Sequence, residues 1–303
     1  EPFDAELEVD KKVAPMPAAI AAKPKGAYLV GPESYGTFKM IAQLQKANVP
    51  VYRASKAFDK YAPGTWVIPS TAASQPIVER YGKELGIAVS GVDAPPAVEG
   101  ERLKPNTKVG LYKAAGNMPA GWQMWMLEQW GINHDVMKAQ DFSGDLNAKY
   151  DVIILPSGTT KARMLNGLNA KTNDPAEWSW AFGIGDAGWA NLKKFVENGG
   201  TLLAIGNAVE TARDLLDLPI ERALPQAAPR FGGQQGGTTA AAAPAASELK
   251  DAFTSPAKLM QTLRDKVTDP ESLFYCPGSL LNNEFDPANP IAWGMPASWR
   301  VFF

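Results

Sequence analysis

The residues whose types and spacing could do chemistry lie in "GGTLLAIGNAVETARDLL", residues 199–216. A glycine pair, a short apolar run and a sharp turn into an amphipathic stretch spell a strand, an elbow and a helix, the arrangement that holds a nucleophile clear of its neighbours. The turn itself carries Gly206 and Asn207, and Gly206 has no side chain to react. A second polar loop, "PSGTTKARMLNG" (156–167), sets Ser157, Thr159, Thr160 and Lys161 after a strand-like run, as a site edge or as an ordinary surface loop. The chain has one histidine, His134, and one cysteine, Cys276. A Ser-His-Asp or Cys-His pair would have to use His134. "GINHDVM" puts it at the start of a strand, whereas parallel sheets build sites at the carboxyl ends of their strands. Cys276, in "FYCPGS", lies between aromatics and a proline and reads as a small buried apolar group. No H-x-x-E, H-E-x-x-H or C-x-x-C occurs, so neither a catalytic set nor a metal site is expected in these residues. "GPESYG" (31–36) stands where a dinucleotide loop would, but it lacks G-x-G-x-x-G and carries Glu33, so it reads as a tight turn.

The elements that must position these residues follow from periodicity. "AYLVG" (27–31), "VPVYRA" (49–54) and "GTWVIPS" (64–70) are strand-like, with helical spacing over 34–48 and 74–86. A proline-rich stretch, 91–106, marks a boundary. Beyond it "KVGLYKA" (108–114), "HDVMKA" (134–139), "YDVIILPSG" (150–158) and "TLLAIG" (201–206) are strand-like, and 119–131, 186–200 and 208–218 are helical. Short strands alternating with helices predict an α/β chain of two mostly parallel, doubly wound units, the second larger. The expected division is a linker over 1–25, a small α/β domain over 26–95, and a larger one over 105–303. That larger domain carries a mobile low-complexity loop at 225–247 and an irregular C-terminal extension.

Thirty basic and thirty-two acidic residues leave a formal charge of −2. That balance offers no basic field for a phosphate backbone, so nucleic acid is not an expected partner. No apolar run reaches the roughly 18–20 residues of a membrane span. The opening "EPFDAELEVD" has neither an initiator Met nor a signal pattern and reads as a mature or internal segment, and the end on "VFF" reads as cut.

Two resemblances arise from these residues. "LLAIGNAVE" (202–210) resembles the elbow of class I glutamine amidotransferase-like domains, where the strand ends on the nucleophilic Cys; that position falls on Gly206, and residues 248–303 hold no histidine. The resemblance implies a flavodoxin-like, amidotransferase-like fold with a degenerate nucleophile elbow at Gly206 and Asn207. Four longer runs, 109–132, 150–158, 183–208 and 274–303, resemble the region downstream of the peptidase domain in bacterial zinc carboxypeptidase A-type metallopeptidases. That resemblance implies an exported protein, secreted or periplasmic, whose zinc sits in a separate peptidase domain and not in this chain.

The expected role is a non-catalytic accessory module that packs on or positions that peptidase domain and helps present peptide. Candidate crevice-lining residues are Lys113, Asn117, Trp122, Ser157 and Glu210, beside Asn207. Two alternatives stay open: a peptide or small-ligand sensor using the same crevice, and a hydrolase acting through Ser157, Lys161, Asp186 or Glu210. Trp122, Trp125, Met126 and Trp130 recur at helical spacing and are expected in the core. Trp178, Trp180 and Trp189 form an aromatic loop, packed on its own domain or offered to a partner.

Overall fold

The computed structural model describes residues 18–21, 23–168, 171–220, 255, 257, 258, 261 and 280–302. Most of the 1–25 linker, the whole 225–247 loop and Cys276 lie outside the described residues. Two compact units divide the chain, one of residues 1–218 with 285–297, the other of 219–284 with 298–303.

The chain is α/β, and the larger unit holds two sheets. The first is built from β1 (Ala27–Val30), α1 (Tyr35–Lys46), β2 (Tyr52–Ala54), β3 (Trp66–Pro69), α2 (Ser74–Leu85), β4 (Val89–Val92) and β5 (Gly100–Arg102). Its order is β4-β1-β3-β2-β5, and every neighbouring pair is antiparallel. The expectation of a parallel, doubly wound first unit is therefore corrected. The strand–helix–strand alternation is real, but β3 lies between β1 and β2, and β1 lies between β3 and β4. Each helix thus joins two parallel strands that never touch, the split β-α-β-β-α-β pattern. The cause is visible at residues 55–65, where no helix separates β2 from β3, so the chain turns directly back and pairs antiparallel. The "boundary" stretch 91–106 contributes β5 to this sheet's edge.

Alternation along these strands sends Tyr28, Val30, Trp66, Ile68 and Val89 to one face, where Met40, Ile41 and Leu44 of α1 and Val78 of α2 cover them. Ala27, Leu29 and Val67 point to the other, beneath Phe58, Tyr61, Val92 and Val98. Residues 285–297 lie against this half. Trp293 and Trp66 flank the Arg53 guanidinium at 4.6 and 4.9 Å from their ring centroids, and burial lowers the pKa of Arg53.

The second sheet comprises β6 (Val109–Tyr112), α3 (Met118–Trp130), β7 (Asp135–Met137), β8 (Val152–Leu155), α4 (Lys161–Asn166), α5 (Pro175–Trp178), α6 (Gly185–Glu197), β9 (Thr201–Ala204) and α7 (Ala208–Leu216). Its order is β7-β6-β8-β9 and all pairings are parallel. One face packs Tyr112, Met137, Ile153 and Leu155 against Met164 of α4, Leu192 and Phe195 of α6, and Leu215 of α7. The opposite face packs Leu111 and Ile154 against Met124 and Leu127 of α3. Trp130 of α3 also meets Phe38 of α1, with ring centroids 5.7 Å apart, which joins the two sheets' helices.

The other unit shows a hairpin of β10 (Leu280–Glu284) and β11 (Ser298–Phe302), paired antiparallel with Leu281 opposite Val301. Among the described residues no helix is long and apolar enough to cross a membrane.

Candidate functional site

Strand order in the parallel sheet reverses between β6 and β8, because the chain runs from β6 to β7 on one side and then crosses to β8 on the other. The carboxyl ends of strands at such a reversal are where open α/β sheets place their sites. Three loops meet there: 113–117 after β6, 156–160 after β8, and 205–207 after β9.

Asn117 caps α3, its Oδ1 accepting from the Ala120 amide at 3.2 Å, while its Nδ2 donates to Thr159 Oγ1 at 3.4 Å. The cap is buried, so both halves of the amide are spent on holding loops. Thr211, buried in α7, donates from Oγ1 to the Thr159 carbonyl at 2.7 Å. Arg163 donates from Nη1 to the Gly158 carbonyl at 3.3 Å. Below the loops Tyr112 is buried, which pushes its phenol up to about 12 against the opposing pull of the Arg163 guanidinium.

The elbow is formed as the strand and helix patterns require. Gly206 has φ +60°, the left-handed region in which a side chain is disfavoured. A Cβ built on it would stand 2.7 Å from Ser157 Oγ and 3.0 Å from Ser157 Cβ, so Ser157 occupies the space a residue-206 side chain would need. Asn207 closes the arrangement. Its Oδ1 accepts from Ser157 Oγ at 3.2 Å and from the Gly158 backbone amide at 2.6 Å. The Ser157 proton therefore points to an amide oxygen, which is not a base, and the Gly158 N–H, a backbone donor of the neighbouring loop, is already engaged.

The structure thus brings Asn117, Ser157 and Asn207 into one network through the loop after β8. Lys113 stands beside it, half-buried, with Nζ 5.9 Å from the Trp180 ring. Trp180 itself stacks on Trp178 at 6.0 Å, and Lys161 lies 5.4 Å over Trp189, so the aromatic loop is tied to the β6 and β8 loops by cations. Glu210 sits half-buried in the first turn of α7. The ring of Trp122 packs on Trp125, one turn further along α3. Asn207 and Thr211 are the residues whose clamping role the sequence did not single out. Only their placement at the elbow and one turn beyond it hinted at a contact with the preceding strand's loop.

His134 lies at the opposite, amino-terminal end of this sheet, immediately before β7, with Nδ1 3.1 Å from the Ile132 carbonyl. It lines a cavity of about 640 Å³ with Lys46, Lys108, Glu128, Asp135 and Lys149. Among the described residues no three His, Cys, Asp or Glu side chains gather to hold a metal ion. No family model, curated protein or solved structure matches the chain.

Proposed function

We propose that this chain is a non-catalytic α/β module of an exported, metallocarboxypeptidase-like protein, packing on or positioning a separate zinc peptidase domain. The observation that carries the non-catalytic half is the clamp at the elbow: Gly206 offers no nucleophile, and Asn207 Oδ1 takes up both the Ser157 hydroxyl and the Gly158 amide. The accessory half rests on the resemblance of residues 109–132, 150–158, 183–208 and 274–303 to the region that follows such peptidase domains.

The clamp also weakens the hydrolase alternative. A serine nucleophile needs a base within hydrogen-bond reach, and Ser157 Oγ donates instead to the Asn207 amide oxygen. The test is a set of glutaminase, esterase and carboxypeptidase assays on the full 303-residue chain, with and without zinc, beside a pull-down with a zinc carboxypeptidase domain. Background turnover and retention of that domain are expected. Turnover abolished by Ser157→Ala or Glu210→Gln would overturn the reading.

A further inference from the structure

Helix α3 is apolar on two sides, and the sheet uses one. Met124 and Leu127 face the sheet side and pack with Leu111 and Ile154, and Ala120, one turn earlier, is buried. Met118, Trp122, Trp125 and Met126 make a second stripe at four-, three- and one-residue steps, and they are 74, 65, 54 and 36% exposed. This overturns the expectation of a core place for Trp122, Trp125 and Met126, whereas Trp130 of the same repeat is half-buried against Phe38. An apolar helix stripe is ordinarily covered, and this second one is not. The sheet face beneath repeats the signal: Leu203, the register partner of Ile154, points to that same face and is 45% exposed. Parallel sheets are ordinarily buried on both faces.

We propose that this stripe is the contact between two copies of the chain, paired about a two-fold axis near Trp122. Charge supports a like partner, because no charged side chain lies between Met118 and Leu127, so bringing two stripes together opposes no like charges. Geometry supports it as well. Met118, Trp122 and Met126 form one i, i+4 ridge, the kind that interdigitates with its own copy at a crossing angle of about −50°. Trp122 and Trp125 hold each other edge to face, with centroids 6.2 Å apart and planes at 86°, so the ridge is already ordered before it meets a partner. Area supports it last. Scaled from what such side chains bury, the stripe offers roughly 500 Å² per copy, or about 1,000 Å² for the pair, the floor for a specific interface. An isologous contact of that size is self-limiting.

Sedimentation equilibrium on the full chain tests this. The wild type is expected at twice the monomer mass at about 100 μM and to dissociate on dilution towards about 1 μM, as an interface at that size floor should. Trp122→Glu and Trp122→Lys, each alone, are expected to be monomeric with unchanged circular dichroism, and their equimolar mixture to recover the doubled mass. Met118→Glu, at the most exposed position, provides a second disrupting variant should either Trp122 variant fail to fold. A wild type that stays monomeric at every concentration overturns the proposal, whatever else covers the stripe. So does a doubled mass that Trp122→Glu and Met118→Glu leave intact, or a zinc peptidase domain retained by a monomer and lost with Trp122→Glu. Retention of that domain without dimerisation leaves the accessory reading standing, so the two fail separately.

Discussion

Gly206→Ala asks whether the elbow has room for a side chain at all. Two costs apply. Holding a non-glycine residue at φ +60° costs about 1 kcal/mol. The new Cβ would also lie 2.7 Å from Ser157 Oγ, far inside contact distance. Ser157 is half-buried, so its hydroxyl can swing away, but it then gives up the 3.2 Å bond to Asn207, worth about 1 kcal/mol. The expected destabilisation is about 2 kcal/mol in all. In a Ser157→Gly background the nearest remaining serine atom is the Cα at 3.8 Å, an ordinary contact, so only the backbone cost of about 1 kcal/mol remains. The coupling between the two positions is then about 1 kcal/mol, which a double-mutant cycle resolves. Urea unfolding followed by circular dichroism supplies the four midpoints. Equal costs in the two backgrounds would refute the steric argument, and a total below about 0.5 kcal/mol would refute the backbone argument as well. Gly206→Cys in either background should still show background glutaminase activity, because the single histidine stands at the other end of the sheet.

Three further outcomes are expected. Trp293→Ala removes one of the two rings flanking Arg53 and should cost about 2 kcal/mol, with faster proteolysis within 285–297 than elsewhere in the larger unit; limited proteolysis with mass mapping checks it. Tyr112 has a native pKa raised from 10.0 to about 12, so its contribution is complete below pH 10 and is lost as pH rises towards 12. Urea midpoints should therefore fall across that window, and less steeply in Tyr112→Phe. The Lys104 ammonium, at 2.7 Å, and the Lys108 backbone amide, at 2.8 Å, hold the Asp151 carboxyl below its ordinary 3.8. Its stabilisation is present above that value and lost as pH falls through the lowered native one; carboxyl titration by NMR reads the shift, and Asp151→Asn should flatten the acid limb of the stability profile.

The pairing of Asp151 with Lys104 and Lys108 also shows how sequence and tertiary structure divide the account. Nothing in "LKPNTKVG" signals that the Lys104 ammonium and the Lys108 backbone amide reach a carboxylate more than forty residues away. That contact exists because β8 lies beside β6.

Local periodicity was enough for every element around the elbow. The apolar run of β9, the glycine turn and the amphipathic α7 are each set by neighbours within one or two helical turns, so the sequence determined a strand–elbow–helix with no side chain at its apex. It also determined that the chain has one imidazole and one thiol to work with. Pairing was not determined. The sequence shows no helical spacing between 49–54 and 64–70, which allows β2 and β3 to pair directly, but that β3 also inserts beside β1 and keeps β1 and β2 apart came from the tertiary structure. The same holds for α3: its sequence shows apolar residues on more than one side, but which of them are covered depends on what the sheet presents, and the sheet reaches Met124 and Leu127 while leaving Met118, Trp122 and Trp125 bare. The clamp of Asn207 on Ser157 and Gly158 is likewise a contact across fifty residues, decided by the register of β8 against β9. Short-range chemistry shapes the elements, while long-range packing chooses their neighbours, and for this protein the candidate site is a property of the neighbours.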